Sequence, residues 1–83
     1  MKNKLGNIHQ EEIAQFYKKV SANVKKYRTE KGLSQMDLGL EIDIKSVAFF
    51  SNCESNRYGK HFNIEHIYKI AKTLDKDLCD FFQ

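Results

Sequence analysis

The sequence predicts an all-α protein, a compact bundle of about five helices with an extended first helix. Apolar residues recur at three- and four-residue intervals along the chain, and no stretch shows the strict alternation of a half-buried strand. Helix breakers are also scarce, with no Pro and only four Gly in 83 residues. A chain this short buries only about 60% of its unfolded surface, so it builds one core and one domain. The 41% apolar and 30% charged content is that of a folded chain rather than a disordered one.

Residues 1–10, MKNKLGNIHQ, lack periodicity and are expected to form a loose N-terminal arm, with the folded domain spanning 11–83. In the next stretch Ile13, Phe16, Tyr17, Val20, Val24, Tyr27 and Arg28 fall within about 120° of one another at helical spacing. One uninterrupted helix from Glu11 to Lys31 accounts for them, and Gly32 ends it. Such a helix is on the order of 30 Å long, about the width of the whole domain, so its first turns are expected to project beyond the core.

Leu33 precedes Ser34, whose hydroxyl caps a second helix with Asp37 at its third position and Leu38 and Ile42 on one face. Gly39 inside that helix is expected to mark a close backbone approach where it meets the next helix, since it costs about 1 kcal/mol relative to Ala. The pattern breaks at Asp43 and resumes after Ser46, a second N-cap, with Val47, Phe50 and Cys53 three apart and Glu54 alongside. Two short helices joined by a tight turn is the helix-turn-helix layout, in which the second helix can lie in a DNA groove.

Tyr58-Gly59 marks a loop, after which Asn63 caps a helix with Ile64, Ile67, Ile70, Ala71 and Leu74 on one face. Leu78, Phe81 and Phe82 then have the spacing of a short final helix that closes the core or meets a second subunit. Phe49, beside the inward Phe50, is expected to pack on the flank against the second or fourth helix.

These residues resemble the lambda-repressor-like (Cro/CI, XRE) helix-turn-helix family over roughly Val20 to Phe82. The segments that carry the resemblance are VKKYRTEKGLSQMDL, AFFSNCESNR and an apolar helix ending in AKTL. It implies a small single-domain transcriptional regulator whose recognition helix, about 46–54, enters the major groove of a near-palindromic operator bound as a homodimer. It also implies a partly buried ion pair between Arg28, the one charge at the edge of the first apolar stripe, and Glu54. The chain departs from the family by one extra residue, falling in the turn Asp43-Ile44-Lys45, and by Asp43 where a glycine is usual. Aspartate can adopt the left-handed backbone such a turn demands, at a cost.

With Phe50 facing the core, the outward edge of the recognition helix comprises Lys45, Ser46, Val47, Ala48, Ser51 and Asn52. Asn52 has the chemistry to bond adenine N6 and N7 together, Ser51 can serve either base, and Ala48 or Val47 can meet a thymine methyl. Gln35, in the first turn of the second helix, is expected to face phosphate. Arg57, Tyr58 and Lys60 form a basic loop suited to gripping the backbone, with His61 a lesser candidate, and Lys2 and Lys4 could reach an adjacent groove.

Net charge is +3, distributed unevenly. Residues 1–33 carry about +5, 34–56 about −3, 57–62 about +2 and the remainder about −1. The helix-turn-helix segment is itself acidic, so phosphates must be met by helix amino termini and flanking basic segments. Cys53 and Cys79 lack metal-ligand spacing and read as reduced core thiols, and His9, His61 and His66 are too scattered to form a ligand set. The expectation is a cytoplasmic protein with no metal or cofactor, no catalytic nucleophile paired with a base, and no membrane span. The competing reading is an interaction module, such as an antitoxin holding its toxin or a bridging factor, that uses apolar surface from Ile13, Phe16, Tyr17, Phe81 and Phe82.

Overall fold

Among the described residues four α-helices form, each with a stop that the chain supplies and three with a side-chain start. The computed structural model describes residues 8–83, so Lys2, Lys4 and the expected arm as far as Asn7 lie outside it. Helix α1 spans Gln10–Glu30, α2 Gln35–Glu41, α3 Val47–Ser55 and α4 Ile64–Leu74, with two 3-10 segments at Arg57–Gly59 and Leu78–Phe82. No strand occurs among the described residues.

Three of the starts are side-chain caps, whereas His9, before α1, makes no side-chain capping bond. Ser34 Oγ accepts from the Asp37 N–H at 3.0 Å while Asp37 Oδ2 accepts from the Ser34 N–H at 3.2 Å, a reciprocal capping box. Ser46 Oγ accepts from the Phe49 N–H at 3.1 Å. At α4, Asn63 Oδ1 accepts from the His66 N–H at 2.7 Å and His66 Nδ1 accepts in return from the Asn63 N–H at 3.1 Å. An imidazole thus takes the place that Glu or Gln usually fills.

The stops are left-handed residues. Gly32, Asp43, Asn56 and Asp75 follow α1 to α4 with φ of 77°, 67°, 57° and 58°. In three of these ends the next N–H bonds back across the last turn: Leu33 to the Arg28 carbonyl at 3.1 Å, Ile44 to Gly39 at 2.8 Å and Lys76 to Ala71 at 2.9 Å. These bonds satisfy carbonyls the helix itself leaves open. Only one of the four stops is glycine; Asp and Asn tolerate the conformation best among the others.

The core is built from Val20 and Val24 of α1, Leu38 and Ile42, Ile44, Phe50 and Cys53 of α3, Phe62, the Ile67-Ile70-Ala71-Leu74 face of α4, and Phe81. Phe50 and Phe62 meet edge to face at 5.1 Å, as do Tyr27 and Phe81 at 5.3 Å. Phe49 packs toward His66 of α4 at 6.4 Å between ring centres. Asn23 Nδ2 donates to the Phe81 carbonyl at 3.0 Å, holding the last segment to α1.

Three expectations need correction. The segment expected as a fifth helix is the 3-10 turn Leu78–Phe82, in which Phe81 is fully buried while Leu78 is left at the rim, 40% exposed. Phe81 is therefore core and not interaction surface. Cys79, in the same tight turn, is exposed and not a core thiol, whereas Cys53 is buried and burial pushes its thiol pKa up. Gly39 does mark a close approach, but to the turn rather than to α3's backbone: a Cβ there would stand 2.8 Å from the Ile44 carbonyl oxygen.

Helix α1 is the long element of a molecule measuring 42 × 27 × 19 Å. Its burial begins only at Val20, so its first turns extend past the core.

Candidate nucleic-acid interface

The orientation of α3 is set by one charged group on α1. Arg28 Nε donates to Glu54 Oε2 at 2.9 Å and Nη2 donates to Oε1 at 3.0 Å, a two-pronged pair with side chains only 9% and 4% exposed. Its third arm, Nη1, donates to the Leu33 carbonyl at 2.8 Å. The planar guanidinium therefore joins α1, the α1–α2 link and the end of α3 in one arrangement, which a lysine's point charge could not do. Gln35 Nε2 donates one N–H to Glu54 Oε1 at 2.8 Å, so the residue expected at phosphate also belongs to this clasp. An amide carries two N–H groups, and the second is left over.

With Glu54 held and Phe50 and Cys53 fully buried, the opposite side of α3 faces outward. Lys45, Ser46, Val47 and Ala48 are exposed, and Ser51 and Asn52 are half-buried at the edge of the same strip. Among the described residues the Asn52 side chain makes no hydrogen bond, while its backbone carbonyl accepts from the Asn56 N–H and, at 3.5 Å, from the Ser55 hydroxyl. The outward strip is thus short, uncharged apart from Lys45, and narrow enough that small side chains bring its backbone close to whatever lies against it.

Beyond α3 the chain enters the basic loop in strained geometry. Asn56, Tyr58 and Gly59 all have positive φ, at 57°, 60° and 72°. For tyrosine this is an uncommon conformation that the surroundings must hold in place. The holder is Asn56, whose Nδ2 lies 3.0 Å from Ser21 Oγ, 3.2 Å from the Cys53 carbonyl and 3.3 Å from the Lys60 carbonyl. Ser21, buried on α1, itself donates to the Cys53 carbonyl at 3.0 Å. The outcome is a loop that presents Arg57, Lys60 and a Tyr58 ring 79% exposed beside the end of α3.

His61 does not share that outward direction. Its ring stacks on Tyr17 of α1 at 3.9 Å and 13° between planes, and its Nδ1 lies 3.2 Å from the Phe62 carbonyl. Ser21, Asn56 and Tyr17 were not singled out by sequence as parts of the site. The one signal available was Ser21's place on the apolar face of α1, next to Val20 and one turn before Val24.

Among the described residues no group of three His, Cys, Asp or Glu comes together, and no helix is long and apolar enough to cross a membrane. No protein-family model, curated protein or solved structure matches the chain.

Proposed function

We propose that the chain is a sequence-specific DNA-binding regulator of the lambda-repressor-like helix-turn-helix type, placing α3 in the major groove and acting as a homodimer on a near-palindromic operator. The observation that carries this reading is the Arg28–Glu54 clasp: it fixes α3 with its strip of small and polar side chains turned away from the core. In the groove, Asn52 supplies a paired donor and acceptor for adenine, and Ala48 and Val47 lie where a thymine methyl would be met. Arg57 and Lys60 flank that strip and grip phosphates, with the free N–H of Gln35 contributing from the other side. Two such strips about 34 Å apart, one helical turn of DNA, define the operator.

Selection of binding sites from random duplexes tests the proposal. It should enrich a two-fold sequence, and with about eight phosphates neutralised per dimer, log K should fall against log salt with a slope near −7. Asn52→Ala should relax the preference at one base pair of each half-site, a discrimination loss of about 1–3 kcal/mol. Pure protein that enriches no sequence, or binds without salt dependence, refutes the reading and favours the interaction module, for which the exposed apolar side chains of α1 are the supporting observation.

A further inference from the structure

The projecting start of α1 carries apolar surface that its own core does not cover. Ile13 is 37% exposed and Phe16 47%, both on the side of the helix that is buried from Val20 onward. Phe16 stacks flat on Phe82 at 5.9 Å and 7°, and the two rings, with Val20, Ile64 and Ile67, line a groove of about 280 Å³. Ile64 at its rim is 74% exposed.

The charges beside this stripe are self-complementary. Glu12 and Lys19 are seven residues apart, so they lie within about 20° of each other around the axis and flank the Ile13/Phe16 stripe on one side. Both are exposed, and among the described residues neither is ion-paired. An antiparallel two-fold pairing that sets Ile13 of one chain against Phe16 of another brings Glu12 against Lys19 of the second copy, twice over. The same register brings Gln10 to Tyr17 on the other flank. A parallel pairing would instead set Glu12 and Lys19 against the other flank of the second copy, where Gln10 and Tyr17 offer no charge.

We propose that this face docks a second copy of the chain through an antiparallel α1 pair, with Ile13 and Phe16 interleaved and two Glu12–Lys19 pairs selecting the register. The inference names the surface of the homodimer put forward under the proposed function, and it stands on α1 alone, with no contribution from DNA. Three helical turns make a small interface, so association is weak and concentration-dependent.

Sedimentation equilibrium of the full chain without DNA, over about 10–500 μM at low salt, reads the association directly. Glu12→Lys and Lys19→Glu should each weaken it about tenfold, because each change turns two attractions into two repulsions. The double variant Glu12→Lys/Lys19→Glu should return to within about twofold of the parent. Phe16→Asp should leave only monomer, with an unchanged helical circular dichroism spectrum because the side chain is half exposed. A parent chain that is monomeric over the whole range overturns the proposal, as do single reversals without effect or a double variant that does not recover. A chain that dimerises by this rule but selects no operator keeps the proposal and refutes DNA binding. One that selects an operator with reversals silent does the opposite.

Discussion

Removal of Glu54 should be a strongly damaging truncation, because it strands a nearly buried charge. In Glu54→Ala the Arg28 side chain, 9% exposed, keeps one hydrogen bond to the Leu33 carbonyl and loses two, while Gln35 loses its acceptor. Breaking such a pair by removing one partner costs about 3 kcal/mol, mostly as the uncompensated guanidinium. A domain of this length is held by about 4–12 kcal/mol in all, so the variant should lose a large share of its stability. At about 4–8 °C per kcal/mol, the melting temperature should fall by about 12–24 °C. Urea titration followed by circular dichroism measures the change through the midpoint, with the slope unchanged if the native state is intact. The double variant Arg28→Met/Glu54→Leu should recover most of the loss, since an apolar pair of similar volume leaves no orphan charge. A loss below about 0.5 kcal/mol for Glu54→Ala would show the pair to be no more than a surface contact and would refute the reasoning.

Three further outcomes are expected. Gly39→Ala should destabilise by about 1–3 kcal/mol in the same titration, although alanine favours helix, because its Cβ would press on the Ile44 carbonyl 2.8 Å away. Asp43→Gly should raise the urea midpoint by about 0.5–1 kcal/mol in equivalent stability, since φ of 67° is unstrained for glycine and the Lys69–Asp43 contact, at 3.7 Å on an exposed side chain, contributes little. His66 has its pKa lowered, mainly by burial, with Glu65 opposing and Lys69 adding to the effect. The neutral ring is therefore the folded form: stability is full above about pH 6.5 and declines as pH falls below it through the depressed pKa. Protonation at Nδ1 would also remove the acceptor for the Asn63 N–H. His66→Gln, which can still accept that bond, should show a smaller loss between about pH 7.5 and pH 5 than the parent.

Much of the frame is written in short-range rules. Ser34 with Asp37, Gly32 after α1 and the left-handed Asp43 are legible because each depends on residues within one turn. The Arg28–Glu54 pair spans 26 positions and is expected only through the family resemblance, with which Arg28's place as the one charge at the edge of an apolar stripe accords. What could not be read depends on how distant surfaces meet. The Tyr17–His61 stack and the Ser21–Asn56–Cys53 hydrogen bonds link α1 to segments more than thirty residues away, with ordinary polar residues that announce nothing locally. Around Leu78–Phe82 the difficulty is angular. An α-helical spacing predicts one apolar side, whereas a turn of three residues redistributes it, so Leu78 and Cys79 face outward.

Helix α1 is continuous from Gln10 to Glu30, yet its buried residues, Val20, Ser21, Val24 and Arg28, all lie from its midpoint onward, and the turns before them rest on the fold through the rings of Phe16 on Phe82 and Tyr17 on His61. Its amides should therefore exchange with deuterium in two regimes: those before Lys19 through local fraying, within a short labelling time, and those after Val24 only when the entire protein opens. A single rod thus contains a buried anchor and a more loosely held tip.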